Sequence, residues 1–413
     1  MTDTAAAATS RRPRGLAISW FFAPYVGSAD VDFFRRIKDL DADFDVLQVK
    51  RAIRDDRLLA FDHRRNLRRF EIEVDHLRPR SAAARDGFLK ACLEHYQARA
   101  GEYDFVISHS NEVHCHRVAW EIRRRSGLPW IAYFGDPSAK NPYVRYMRDY
   151  PYWQEDNESE RIAFEQADRL VFNNEYQRRL MLEGFEQHAA KSRVIAHAFD
   201  PEMYSAQPAA RSTEKFLLGH FGTLYSVKRK AEVLFRGIDR LLQIYPEYRD
   251  RFLVELYGST TALDLAAHSA MRHRDHVAFR GQVGYVESLA KMCEMDALVL
   301  IDAFFSVEED GLAFSPFLPC KLADYLGAKK PIVGITMKDG PCADILRASG
   351  NLVADERTDR VAYVLKRYID RKVSLDYTTV AARYSHERQV AQMQQLVDEL
   401  LSEKAAACTR KSA

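Results

Sequence analysis

From residue 216 to residue 336, short continuous apolar runs alternate with amphipathic stretches. FLLGHFG, FLVELYG, HVAFRG, ALVLID and PIVGIT read as strands, while AEVLFRGIDRLL, YVESLAKMCEM and CKLADYLGA read as helices between them. In the first of these helices Leu234, Phe235, Ile238, Leu241 and Leu242 fall on one stripe. The strand runs are apolar on both faces, as a parallel sheet covered by helices on both sides requires. The spacing predicts a doubly wound sheet.

The N-terminal half repeats the alternation with GLAISW, FDVLQV, FEIEV, YDFVIS, PWIAYF and RLVFN, so a second sheet is expected. Between the halves, RVIAHAFDPEMYSAQPAARSTEK starts as a short strand and gives way to Pro201, Pro208 and small polar residues, which suits an interdomain connection. The expected division is a loose tail at 1–14, a domain at 15–205, a domain at 206–380 and a C-terminal segment at 381–413. In that last segment YSHERQVAQMQQLVDELL is helical in pattern and can cross back onto the first domain. Ligands of open α/β sheets bind beyond the carboxyl ends of the strands, so two such domains face to face enclose a cleft.

Composition narrows the function classes. A length of 413 residues with 47% hydrophobic content suits two ordinary cores. Lysine and arginine number 61 against 59 acidic residues, so no global field draws nucleic acid or membrane. No run of about 18 apolar residues occurs. The opening MTDTAAAATSRRPRG lacks the apolar stretch of a secretory signal, so the chain is expected in the cytoplasm. Cys92, Cys115, Cys293, Cys320, Cys342 and Cys408 show no paired spacing, so reduced thiols are expected. The arginine-rich runs KRAIR and RRNLRR are solvated faces or, as the sharper alternative, a peripheral contact with anionic lipid.

Two constellations carry candidate chemistry. GHFGTLYSVKRKAEVLFRG leaves a strand at Gly222 and enters a helix with Lys228, Arg229 and Lys230 at its mouth. Cations there oppose the helix dipole unless an anion answers them, so a phosphate is expected, the alternative being a solvated basic turn. In SPFLPCKLADYLGAKKPIVGIT, Pro319 can begin a helix and Gly327 can end it. Lys321 and Asp324 are three apart on its first turns, either as an intrahelical ion pair or as a site for a phosphate and a diol.

The run KLADYLGAKKP followed by GPCADIL resembles the donor-site helix of family 4 retaining glycosyltransferases. GTLYSVKRKAE is similar to that family's phosphate loop, GQVGYVESLAKM to its nucleobase-side loop, and QADRLVFNN with VIAHAFDPEMY to the end of its first domain. The resemblance is collinear over residues 15–375. It implies the GT-B fold, two Rossmann-like domains facing a cleft, with a nucleotide-sugar donor on the second. It further implies Lys228, Arg229 and Lys321 at the donor diphosphate, Asp324 at the ribose, and Gly281 with Gln282 in the base-side loop. One departure stands out: where the family carries a first glutamate, eight positions before Asp324, this chain has Pro316. Glu308, Glu309 and Asp310 are the nearby carboxylates, and the backbone amides of Phe317 and Leu318 are alternative donors to the sugar.

In the first domain FFAPYVGSADVDFF places Gly27 and Ser28 after the first strand, a small-residue loop that lets a ligand approach the backbone, or a plain turn. His109 follows YDFVIS and Asp136 follows PWIAYF, and both are expected to face the cleft. The resemblance implies a histidine and an acidic residue in these loops, with Gly135 where many members carry another histidine. His114, Cys115 and His116 resemble metal ligands but diverge in direction on a helix, so no metal is assigned to them. The implied activity is transfer of a sugar to a hydroxyl of a glycan or glycolipid, with retention and with neither metal nor other cofactor. The alternatives are a sugar-nucleotide epimerase on the same fold and a donor-binding protein without turnover. A nucleic-acid partner has only the local arginine runs behind it.

Overall fold

The computed structural model describes residues 11–75, 81–110, 112–143, 152–204, 214–224 and 227–412. Residues 1–10 of the expected tail and the boundary near residue 205 lie outside the described residues. The first domain contains β1 (Arg14–Ser19), α1 (Ser28–Ile37), β2 (Asp43–Val49), β3 (Leu67–Ile72), α2 (Ala82–Ala98) and β4 (Phe105–His109). It continues through α3 (His114–Ser126), β5 (Trp130–Phe134), α4 (Trp153–Gln166), β6 (Arg169–Phe172), α5 (Glu175–Leu182) and β7 (Ser192–Val194). The second contains β8 (Phe216–Phe221), α6 (Ala231–Ile244), β9 (Phe252–Tyr257), α7 (Ala262–Ser269), β10 (Val277–Gly281), α8 (Tyr285–Glu294) and β11 (Ala297–Ile301). It is completed by α9 (Val307–Asp310), α10 (Cys320–Gly327), β12 (Ile332–Ile335), α11 (Pro341–Ala348), β13 (Val353–Ala354) and α12 (Thr358–Ile369). Two further helices follow, α13 (Thr378–Arg383) and α14 (His386–Ser412).

Among the described residues the strands form two parallel sheets, in the orders β3-β2-β1-β4-β5-β6-β7 and β10-β9-β8-β11-β12-β13. In each domain the chain starts in the middle of the sheet, winds outward one way, then crosses back and winds the other way. The switch points lie between β1 and β4 and between β8 and β11, where adjacent loops part and leave a crevice. Ser19 pairs with His109 at the carboxyl end of the first switch point. The central strands are buried from end to end, which explains their unbroken apolar sequences. β3 starts three residues before the expected FEIEV, and β13 is a two-residue strand too short for a pattern to announce.

One apolar cluster runs through both domains, joining Val31, Phe34 and Ile37 of α1 to Leu322 and Leu326 of α10 and to Met393, Leu396, Val397 and Leu400 of α14. The last helix therefore packs on the first domain. Its His386 reaches Asp39 at 2.6 Å, and Lys404 donates to the Asp104 carbonyl at 3.0 Å. Among the described residues no helix is long and apolar enough to cross a membrane. The basic runs carry partners: Arg51 faces Asp30, Arg54 faces Asp56, Arg64 faces Asp41, Arg68 faces Asp45 and Arg69 faces Asp62.

Candidate functional site

The second domain's wall of the cleft is built on a tight turn. β8 ends at Phe221, and Gly222 takes a φ of 108°, a conformation that side chains rarely adopt. After β9, Gly258 has a φ of 137°, and a Cβ there would stand 2.6 Å from the Gly222 carbonyl oxygen, so two strand ends close on each other. Pro319 holds extended backbone and α10 starts at Cys320, with Tyr325 pinning the helix by accepting the Phe221 N–H at 2.8 Å.

This anchoring lays the first turn of α10 over Gly222. The Lys321 Nζ is 3.0 Å from the point a Gly222 Cβ would occupy, so glycine leaves the room the ammonium uses. Beneath it, His220 Nδ1 lies 2.9 Å from the Val299 carbonyl, which can only accept; Nδ1 therefore carries the proton and Nε2 is an acceptor, 3.5 Å from Nζ. Burial, with Lys321 adjacent, holds His220 well below its ordinary pKa. Arg229 enters from the loop after β8, with Nη2 3.8 Å from Asp302 Oδ1. Asp302 in turn accepts from Thr336 Oγ1 at 3.0 Å. Burial and the neighbouring Arg229 push the Lys321 amine well below the usual lysine range. Gly222, Arg229 and Lys321 thus meet at the switch point of the second sheet.

Other expected residues have different surroundings. Lys228 donates to Glu309 at 3.0 Å and to the buried Asp310 at 2.7 Å, so its charge is answered within the protein by α9. Asp324 does not pair with Lys321; its Oδ1 accepts from Arg35 Nη1 and from Tyr285 Oη, each at 2.8 Å, and Arg35 belongs to the other domain. Phe317 turns its ring against Tyr143 and Phe305 and its amide toward Ser315 Oγ at 3.4 Å, and Leu318 is core. Gly281 and Gln282 form the lip beside Gly258, with the Gly281 carbonyl accepting the Gly258 N–H at 2.8 Å and Gln282 donating to Ser259.

The first domain's wall presents Asp136. Its loop is held from behind: Gly135 O accepts from Asn173 at 2.6 Å and Gln177 at 3.0 Å, and the Glu160 carboxylate accepts the N–H groups of Ser138 and Ala139. Burial raises Glu160 to about 7. The Asp136 carboxylate is accessible at the cleft yet ringed by protein, which raises its pKa against the pull of His197 and Arg229. Asn174 ties this wall to the other by donating to the Pro316 carbonyl at 2.9 Å, at the place of the missing glutamate.

His109 does not open onto the cleft as expected. It is 1% exposed, its ring packed against those of Phe33 and Tyr133, each with its centroid 4.8 Å away. Ser19 gives its proton to the Phe21 carbonyl, so His109 Nδ1 donates to Ser19 Oγ and Nε2 is left toward Gly135. Burial holds the ring down to about 3, so it is neutral. Gly27 caps α1 with its carbonyl, and a Cβ there would sit 2.3 Å from Asp30 Oδ2. Ser28 opens that helix; its side chain lies outside the described residues. His114 and His116 bind separately, to the Arg85 carbonyl and to Ser108.

Sequence reasoning missed the seam beside the linker. Asp32 Oδ2 accepts from His197 at 3.0 Å, Arg36 at 3.1 Å and Tyr133 at 2.9 Å. Arg35 and Arg36 are fully buried, in a stretch FFRRI that the sequence reading did not single out. The available signal was their position between Phe33, Phe34 and Ile37 on a short helix.

No family model matches this sequence, and no curated protein does. Solved structures do match in fold. Anabaena HepE in complex with UDP-glucose superposes with a TM-score of 0.62 at 14% identity, over 94% of this chain and 99% of that one. Sucrose-phosphate synthase from Thermosynechococcus elongatus gives 0.64 at 13% identity, over 97% and 99%. A UDP-forming trehalose-phosphate synthase from Burkholderia xenovorans gives 0.61 at 12% identity, over 95% and 99%. The chain has the GT-B architecture of two Rossmann-like domains. These likenesses span several GT-B enzymes and do not single out family 4.

Proposed function

We propose that this chain is a glycosyltransferase that moves a sugar from a nucleotide-sugar donor to a hydroxyl of a glycan or glycolipid, with retention and without a metal. The supporting observation is the meeting of Gly222, Arg229 and Lys321 at the switch point of the second sheet, with the Asp136 carboxylate presented by the opposing domain. In this reading the diphosphate lies on the Gly222 turn, and the base lies along the lip of Gly258, Ser259, Gly281 and Gln282. A front-face transfer asks little covalent chemistry of the protein; Arg229 and Lys321 stabilise the departing diphosphate, and Asp136 receives the acceptor hydroxyl. A ribose diol reaches Asp324 only when Arg35 lets go, which couples donor entry to movement at the seam. Lys228 acts indirectly, by fixing α9. The reaction belongs to cytoplasmic assembly of a polysaccharide or glycoconjugate, at the inner membrane face where the acceptor is lipid-linked.

A donor-binding protein without turnover is the second reading, because Pro316 stands where a glutamate is expected and Asp324 is engaged by Arg35. The test is incubation with UDP-, GDP- and ADP-sugars, with and without glycan acceptors, following nucleoside diphosphate release. Acceptor-dependent release supports transfer. Conversion of donor alone identifies an epimerase, and thermal stabilisation without any release identifies the inactive binder.

A further inference from the structure

Lys321 sits unlike an ordinary phosphate lysine. Its Nζ lies over the Gly222 turn against the lone pair of His220 Nε2, and among the described residues no carboxylate lies within salt-bridge distance of it. The groups that face it from each packed element are His220 on β8, Arg229 on the following loop, Asp302 at the end of β11, Cys342 on α11 and Asp324 on its own helix. Asp302 is already shared with Arg229, Thr336 and the Ala303 N–H. Asp324 is committed to Arg35 and Tyr285. His220 cannot supply negative charge, because its Nδ1 proton is fixed on the Val299 carbonyl.

We infer that capture of a diphosphate on the Gly222 turn takes up one proton from solution, and that Lys321 is the group that receives it. The inference rests on the donor-site reading above. An ammonium with no carboxylate at contact distance and the Arg229 guanidinium among its neighbours is disfavoured, and a lysine relieves this by releasing a proton. This agrees with the downward shift of the Lys321 amine. A diphosphate brings the negative charge the turn lacks, so the amine returns to ammonium, with the proton supplied by buffer. Ligand binding then depends on pH with a sign fixed by linkage: affinity falls as pH rises above the free-protein pKa of Lys321, approaching tenfold per pH unit for one proton. His220 acts as a positioning residue, since its locked tautomer keeps an acceptor under Nζ.

Titration calorimetry with UDP, GDP and ADP at pH 8, in two buffers of different ionisation enthalpy, tests this directly. At that pH the nucleotide is fully ionised, given a second phosphate pKa of about 6, so a proton taken up belongs to the protein. Uptake approaching one proton per nucleotide, and its loss in Lys321→Arg with binding retained, are the expected results. Binding with equal heats in both buffers overturns the inference and leaves the donor site standing. Uptake that persists in Lys321→Arg also overturns it, by placing the proton on another group such as Asp136 or His220. Absence of binding to all three nucleotides overturns the donor-site reading and this inference with it. The wild-type measurement decides alone if the variant fails to fold.

Discussion

The seam beside the linker and the mouth of the second sheet both bury charge where the domains meet, and they treat it in opposite ways. In the seam each cation touches a carboxylate: Arg35 with Asp324 at 2.8 Å, Arg36 with Asp32 at 3.1 Å, His197 with Asp32 at 3.0 Å and Lys38 with Asp200 at 3.1 Å. At the mouth Arg229 lies 3.8 Å from Asp302, and Lys321 has a neutral imidazole for its nearest polar neighbour. Buried charge is costly unless it is matched. The seam is matched by the protein itself and holds the two domains together; in the reading proposed above, an anion at the mouth supplies the charge that Lys321 lacks among the described residues. In that reading the same pair of domains separates what fixes their arrangement from what receives the donor.

The sharpest way to break this contrast is Asp324→Ala. It leaves Arg35 buried without its carboxylate, and loss of one partner of a buried pair costs about 3 to 5 kcal/mol. Urea unfolding should show that loss, and a change below about 1 kcal/mol would remove the seam as a structural element. At the mouth, replacing Arg229 and Lys321 together by alanine should lower turnover by about 100- to 1000-fold, as for lost donors to a developing oxyanion. The melting temperature should move little, since these charges are not what the fold relies on. A variant with intact turnover but a lowered melting point would reverse the assignment.

Asp136→Asn addresses the opposite wall and should cost about 100-fold in transfer, about 2.7 kcal/mol of barrier. Its loop is held by Glu160, Asn173 and Gln177, so folding and donor binding should persist. Rates at saturating donor with acceptor varied provide the check; activity within about threefold of wild type takes Asp136 out of the chemistry. A pH-dependent effect on stability, not on transfer, concerns His197. Burial opposes its charge, yet Asp32 outweighs this and raises it to about 10. A group raised in the folded state contributes fully below its unfolded pKa of about 6.5 and loses that contribution as pH rises through the folded value. The melting temperature should therefore decline between about pH 6.5 and 10, and His197→Gln should flatten that slope.

Much of the fold was legible because parallel strands buried on both faces must be apolar throughout. FLLGHFG, ALVLID and PIVGIT could hardly be anything else. The Gly222 turn was legible for a related reason: a glycine at a strand end followed by basic residues is a local pattern. What stayed hidden was partnership across distance. Lys228 and Arg229 are adjacent in sequence, yet α9 answers the first while the second turns toward Asp302. Asp324 is paired by Arg35, 289 residues away in sequence. His109 follows the apolar run YDFVIS, where functional residues are expected, but it is the last buried residue of β4, packed against Phe33 and Tyr133. Local spacing carries backbone conformation; it does not carry which distant group neutralises a charge.

The return of α14 to the first domain has a consequence for biosynthesis. Met393, Leu396, Val397 and Leu400 cover the apolar face of α1, yet they are translated after the entire second domain. At roughly 5 to 20 residues per second, the first domain waits on the order of ten seconds or more on the ribosome with that face uncovered. Its nascent form therefore exposes apolar surface until α14 has been made, and the helix that covers it is synthesised only after both domains.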